Sequence, residues 1–290
     1  MQRELHARRA APARSGPLCA VVVTGGVGDF LVIARFLRDL GAALGGFSFD
    51  AFCPVPARAE WTFAHVPGFT RAHHDIMFRR LRLDYELALQ INQTVTVHGA
   101  DPWRNLRSPI DVAEQIIRAT DRIGPLVDQH PYLDNAIARI AVAAGRTRRD
   151  YLHHLAGIPY GGDKIAVPSD FATPARLHLP AGKYITVHNG FDAGFVISGR
   201  RATKCYPHFD AVLRILKPAL PDLAFVQLGA AGTSARLRHC DLDLVGCTSW
   251  RETAGLLAQA AFHIDGDSGL VHLARCHGVR SGVVFGPTPG

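Results

Sequence analysis

Phe262-His-Ile-Asp-Gly-Asp-Ser-Gly-Leu-Val-His-Leu-Ala-Arg-Cys-His-Gly278 decides how this chain folds. Phe262–Asp265 has the length and apolarity of a buried strand, and the run from Ser268 to His277 has helical spacing. Gly278 then ends the helix, because glycine adopts the left-handed conformation that a helix C-terminus favours. Asp267 or Ser268 is the expected N-cap. The N–H groups of Gly269 and its neighbours are then left free to hold an anion. His272 lies one turn beyond Ser268 on the same helix face.

Working outward, the last third of the chain repeats this strand–helix alternation. Strands are expected at Tyr184–His188, Ala224–Leu228, Leu242–Val245 and Gly282–Phe285, with helices at Pro207–Leu216 and Ser249–Ala260. Strands alternating with helices of this length make βαβ units and a parallel sheet. The N-terminal part opens the same way. Leu18–Val23 is a continuous apolar strand, Gly25, Gly26 and Gly28 form a turn, and an amphipathic helix runs from about Asp29 to Leu44. Phe47–Cys53 and Tyr85–Ile91 are further strands, and Ile110–Ile123 and Leu133–Ala144 read as helices. The turn formers from Pro159 to Pro174 suggest a linker. The expected fold class is therefore α/β, with two Rossmann-like domains whose parallel sheets face a cleft. The division is a disordered leader at 1–16, an N-terminal domain at 17–172 and a C-terminal domain at 173–290.

Composition bounds the function. The 290 residues are 48% hydrophobic and 20% charged, as in an ordinary folded protein. No apolar run is long enough to span a membrane. The apolar stretch after Arg8 and Arg9 reads as a strand rather than a signal peptide, so no export is expected. Six cysteines without paired spacing suggest thiols in a reducing, cytoplasmic setting. A net charge of +7 and a pI near 9.3 favour anionic partners. The basic residues are dispersed and no nucleic-acid module surrounds them, so nucleic acid is not an expected partner.

Three places could carry chemistry, all just after strands, where open α/β sheets bind ligands. The first is Thr24-Gly-Gly-Val-Gly-Asp29. It lacks the third glycine of a dinucleotide fingerprint, Asp50 is a loose match for a ribose-binding acid, and Asp29 could simply cap its helix. The second is His188-Asn-Gly190 followed by Lys204-Cys-Tyr-Pro207, where a lysine ahead of a Pro-initiated helix can reach a phosphate. The third is the Asp265–His272 turn. Its Asp265-x-Asp267 pair also fits a metal-holding pattern, but the pair runs into an anion-binding turn, and no metal is expected.

Together these segments resemble glycosyltransferase family 9. Gly28-Asp29 before an apolar helix looks like the family's N-terminal turn, and Tyr85-Glu86-Leu87 like its next strand, with Glu86 where Asp is usual. His188-x-Gly190, Lys204-x-Tyr-Pro207, Leu228-Gly-Ala230, Leu244-Val-Gly246, Thr248-Ser249, Asp267-Ser-Gly-x-x-His272 and Phe285-Gly-Pro-Thr288 resemble its C-terminal signature. The likeness is strongest over 183–290 and weakest between 90 and 180. It implies the GT-B fold and an inverting, metal-independent transfer without cofactor, usually from ADP-heptose to a lipopolysaccharide-core or other surface-glycan acceptor. Peripheral contact with an anionic membrane surface would fit such an acceptor. Carried over by position, Asp29 would be the general base and Lys204 would hold the diphosphate with the Ser268 and Gly269 amides. Asp267 would contact the sugar, Gly190 would line the nucleotide site and His272 would support it. Two departures stand out. Ala231-Gly232 replaces an acidic residue near the nucleotide ribose, and the family's final helical segment would follow Thr288. A non-catalytic sugar-nucleotide-binding relative is the competing reading.

Overall fold

The computed structural model describes residues 16–98, 118, 140–190, 196–197, 200–201 and 206–285. Residues 1–15 of the expected leader at 1–16, the helix at Ile110–Ile123 apart from residue 118, most of the helix at Leu133–Ala144, and Lys204 lie outside these residues. The chain divides into two compact units, Met1–Ile165 and Ala166–Gly290.

In the first unit, β1 (Leu18–Val23), β2 (Ser48–Cys53), β3 (Phe69–His74), β4 (Leu87–Ile91) and β5 (Val95–Val97) form one sheet in the order β3-β2-β1-β4-β5. The first four are mutually parallel, and β5 adds antiparallel to β4. The apolar run 18–23 reads as a central strand because both of its faces are covered. Cys19, Val21 and Val23 pack with Phe30, Ile33, Phe36 and Leu37 of α1 (Val27–Ala43), whereas Leu18, Ala20 and Val22 pack with Phe52, Phe78, Leu81 and Tyr85. Helix α2 (Pro56–Phe63) completes the first face, with Phe63 stacked on Phe30 at 5.6 Å. The short α3 (Phe78–Leu81) sits on the second.

The second unit repeats the topology. β6 (Tyr184–Val187), β9 (Ala224–Gln227), β10 (Leu242–Asp243), β11 (Phe262–Gly266) and β12 (Ser281–Val284) form an all-parallel sheet in the order β10-β9-β6-β11-β12. A separate two-stranded ribbon pairs β7 (Val196–Ile197) with β8 (Arg200–Arg201). Ile185, Val187, Phe225 and Ile264 of this sheet pack against Phe209 and Leu213 of α6 (Phe209–Ala219). Further helices are α4 (Tyr151–Ala156) in the first unit and α5 (Thr173–Arg176), α7 (Trp250–Gln259) and α8 (Gly269–Cys276) in the second.

In each unit the second and third strands lie on one side of the first, and the fourth and fifth on the other. The strand order therefore reverses between β1 and β4, and again between β6 and β11. Ligands of open α/β sheets bind beyond the carboxyl ends of strands at such reversals. Thr24–Asp29 and Asn92 stand at the first reversal, and His188–Gly190 and Asp267–Gly269 at the second.

Several elements escape sequence reading. β3, Phe-Thr-Arg-Ala-His-His, is an edge strand with no fully buried residue, so it has no apolar alternation to detect. β5 falls within the segment 92–109, which carries no clear pattern. Asp50, the loose candidate for a ribose acid, is 1% exposed in mid-strand. It accepts a hydrogen bond from Tyr85 Oη at 2.7 Å and is structural. Glu86 likewise accepts the backbone N–H of Leu18 at 2.8 Å, at the amino end of the sheet.

Candidate functional site

The first unit's reversal is built around Asp29. Helix α1 begins at Val27 with Gly26 as N-cap, so Asp29 is the third helical residue rather than the cap itself. Its Oδ2 folds back to accept the Gly26 N–H at 2.9 Å, which satisfies one of the helix's free donors. This requires glycine at position 25. Gly25 has φ +105°, and a Cβ there would stand 2.3 Å from Asp29 Oδ2. Oδ1 takes an ion pair from Arg148 Nη2 at 2.9 Å. The same nitrogen donates to the Asn92 carbonyl at 2.9 Å, and Asn92 Nδ2 donates to Thr24 Oγ1 at 2.9 Å. Asp29 is therefore fixed by its own helix, by the end of β4 and by the turn before α4. Each carboxylate oxygen has two acceptor positions, so both retain capacity for a further hydroxyl. Arg148 and Asn92 were not legible as site residues. Arg146-Thr-Arg-Arg149 registers only as a basic cluster, and only folding carries it across to Asp29.

The second unit's reversal holds a buried polar cluster centred on Asp265. This residue is fully buried. His188 Nδ1 lies 2.8 Å from Oδ1, and His263 Nε2 lies 3.1 Å from Oδ2. Ser268 Oγ donates to Oδ2 at 2.5 Å and lies 3.2 Å from His188 Nδ1. Thr186 Oγ1 closes the cluster, 3.0 Å from His263 Nδ1. Burial pushes the Asp265 carboxyl up, but His188 and then His263, through their hydrogen bonds and any charge they carry, hold it below the usual carboxylate range. The pattern Asp265-x-Asp267 is therefore not a pair of equivalent ligands, because both oxygens of Asp265 face inward to imidazole and hydroxyl.

Ser268, not Asp267, is the N-cap of α8, and its Oγ accepts the Leu270 N–H at 3.1 Å. Gly269 begins the helix, so its N–H is among those a helix leaves without an internal partner. Asp267 and His272 are both half-buried. Gly190 is buried at the end of β6, and its lack of a side chain is structural. A Cβ there would stand 2.2 Å from Ser234 Oγ and 2.8 Å from His188 Nε2. The loop carrying Ser234 is pinned by Gln227, whose Nε2 donates to the Ala235 carbonyl at 2.7 Å and whose Oε1 accepts the Leu237 N–H at 2.8 Å. The geometry thus brings Gly190, Ser268 and Gly269 to one reversal, with His188, Asp265 and Ser234 beside them. Of these last three, His188 and Asp265 appear in the sequence only as members of short motifs.

Five described cysteines are free thiols. Among the described residues no helix is long and apolar enough to cross a membrane.

Residues 168–290 match the family model described as Glycosyltransferase family 9 (heptosyltransferase). No curated protein matches the sequence. Among solved structures, the Escherichia coli ADP-heptose lps heptosyltransferase II aligns over 93% of this chain and 85% of its own, with 17% identity and a TM-score of 0.56. The dodecameric iron-containing glycosyltransferase TibC of enterotoxigenic E. coli H10407 aligns over 94% of this chain and 58% of its own, with 11% identity and a TM-score of 0.54. The family 9 glycosyl transferase of Veillonella parvula DSM 2008 covers 93% and 86%, with 9% identity and a TM-score of 0.50. At such identities the likeness establishes a shared GT-B fold. The family match covers residues 168–290, so this part of the chain is similar to the heptosyltransferase-like glycosyltransferases of family 9.

Proposed function

We propose that the chain is an inverting, metal-independent transferase. It would move a sugar, heptose from ADP-heptose in the first instance, to a hydroxyl of a lipopolysaccharide-core or other surface glycan. The observation that carries this reading is that each strand-order reversal holds one half of the required chemistry. The first holds a carboxylate fixed by Gly26 and Arg148. The second holds a Ser268-capped helix start beside a close-approach glycine.

In this reading Asp29 accepts the acceptor's proton as that oxygen attacks C1 of the donor sugar. The bond from C1 to the diphosphate breaks, and the leaving oxygen takes the electron pair. Lys204 and the Ser268 and Gly269 amides stabilise the charge that builds there, with no metal needed. Gly190 lets the Ser234 loop and His188 close together beside the nucleotide, Asp267 contacts the sugar, and His272 supports the helix face beneath it. The domain division proposed is an acceptor-binding portion at 17–172 and a donor-binding portion at 173–290. The enzyme would act in the cytoplasm, at the inner face of the membrane that carries its acceptor.

The test is nucleotide release from ADP-heptose, other ADP-sugars, and GDP- or UDP-sugars, with lipopolysaccharide-type acceptors supplied, for wild type and Asp29→Asn. Release that falls by about 10²–10⁴ in Asp29→Asn supports the base assignment, since positioned bases contribute that much. The engagement of both Asp29 oxygens favours one alternative, a non-catalytic sugar-nucleotide-binding relative. Nucleotide binding without release from any donor would select that alternative.

A further inference from the structure

We infer that His188 is a direct ligand of the donor's diphosphate and takes up a proton when the nucleotide binds, with the buried Asp265 as its positioning residue. This rests on the reading of the second unit as the nucleotide-sugar site.

Hydrogen-bond accounting within the cluster leads to it. An ionised Asp265 only accepts, so its three neighbours must donate. His188 then carries its proton on Nδ1, His263 carries one on Nε2, and the Ser268 hydroxyl points at Oδ2. The Thr186 hydroxyl is left to donate to His263 Nδ1. Every polar atom in this set then has a partner except His188 Nε2, which makes no hydrogen bond among the described residues. That nitrogen lies where a Cβ on Gly190 would be 2.8 Å away, and the ring's Cδ2 where a Cβ on Gly229 would be 3.3 Å away. The imidazole edge therefore stands over two glycines at the carboxyl ends of β6 and β9, beside the start of α8.

The charge balance points the same way. With both imidazoles neutral, the cluster carries one buried negative charge. Asp265 and His263 from β11, Ser268 from the start of α8 and Ser234 from the loop after β9 surround the ring. Asp265 is the carboxylate bonded to the ring among the described residues. His263 is fully buried and already satisfied in its neutral form, whereas His188 is 8% exposed. His188 Nε2 is thus the nitrogen of the cluster open to a second proton and to a ligand. That proton would neutralise the cluster and present an N–H donor to an incoming phosphate oxygen. A phosphate at that position favours the charged ring in turn, and such charge-assisted bonds are about twice as strong as neutral ones.

The test is calorimetric binding of ADP and of adenosine at about pH 7.5. Repeating it in buffers of different ionisation enthalpy gives the number of protons taken up. Wild type should take up a fraction approaching one proton with ADP and none with adenosine. His188→Asn keeps a donor to Asp265 but deletes the ligand-facing nitrogen. It should abolish the uptake and weaken ADP about 10- to 100-fold, with adenosine unchanged. His188→Gln should regain part of the ADP affinity without the uptake. Asp265→Asn should lose uptake through misplacement of the ring; if that variant fails to fold, the His188 pair decides. Proton uptake that persists in His188→Asn, or ADP affinity within about twofold of wild type, overturns the inference while leaving the nucleotide reading intact. A wild-type protein that binds neither ADP nor any other nucleoside diphosphate overturns both.

Discussion

Gly190→Ala tests how the geometry at the second unit's strand-order reversal is held. The new methyl carbon would stand 2.2 Å from Ser234 Oγ, 2.8 Å from His188 Nε2 and 3.2 Å from the Thr233 carbonyl oxygen. The first two are well inside van der Waals contact, so something must move by about 1 Å. The Ser234 loop cannot yield freely, because Gln227 and Asn189 both hold the Ala235 carbonyl. Overpacking of this kind costs about 1–3 kcal/mol. Ser234 Oγ is buried and has no hydrogen-bond partner among the described residues, so Ser234→Ala removes the nearest obstacle without breaking a bond seen there. That single change should leave stability within about 0.5 kcal/mol of wild type or raise it slightly, since an unpaired buried hydroxyl is unfavourable. The double variant should be more stable than the sum of the singles by about 1 kcal/mol, as expected for residues in contact. Urea unfolding followed by circular dichroism measures all four corners of the cycle. Two results would refute the reasoning: Gly190→Ala within about 0.5 kcal/mol of wild type, or a double variant that is merely additive. Ser234→Ala destabilising by more than about 1 kcal/mol would show instead that its hydroxyl is bonded.

Two further outcomes are expected. Arg148→Ala removes an ion pair whose partners are about one-third exposed, so unfolding should shift by less than about 1 kcal/mol. Turnover should nevertheless fall about tenfold with ADP affinity unchanged, and turnover at the wild-type rate would remove Arg148 as the positioning residue for Asp29. Acid should destabilise the fold in two windows. Burial holds His98, His153 and His277 below the usual histidine value, with Asp39 only partly opposing this at His153. The unfolded chain therefore binds more protons than the native one, and stability should be full above about pH 6.5 and fall below it. Burial pushes Asp39 up, but the hydrogen bonds from Arg38 and the Gly161 N–H outweigh it. Its contribution is present above the unfolded value of about 3.9 and is lost as the pH falls below that. Urea midpoints that stay flat between pH 7 and 5 would contradict the histidine part, and His153→Gln should reduce the slope there.

The strand–turn–helix units of this chain are determined locally. Leu18–Val23 and Phe262–Asp265 are apolar enough to be covered on both faces, and the glycines and Ser268 that follow leave few alternatives to a turn and a helix start. The α/β class, the two sheets and the positions of Asp29, Gly190, Ser268 and Gly269 are legible for that reason, since each sits beside the strand that places it. The edge strands β3 and β5 are not, because half-exposed edges impose no apolar alternation.

What lies beyond one turn of chain needs the tertiary structure. Sequence spacing reads Asp265 as half of an Asp-x-Asp pair, yet folding turns it inward between two histidines, one of them 77 residues away. Asp29 reads as a helix cap or a base; only folding sets Arg148, 119 residues on, against it. Ser234 has no motif at all, and its place beside Gly190 follows from two adjacent parallel strands ending together. Periodicity and turn chemistry act over a few residues, so they select the elements. Burial and charge pairing act between elements, and they decide which side chains share a site.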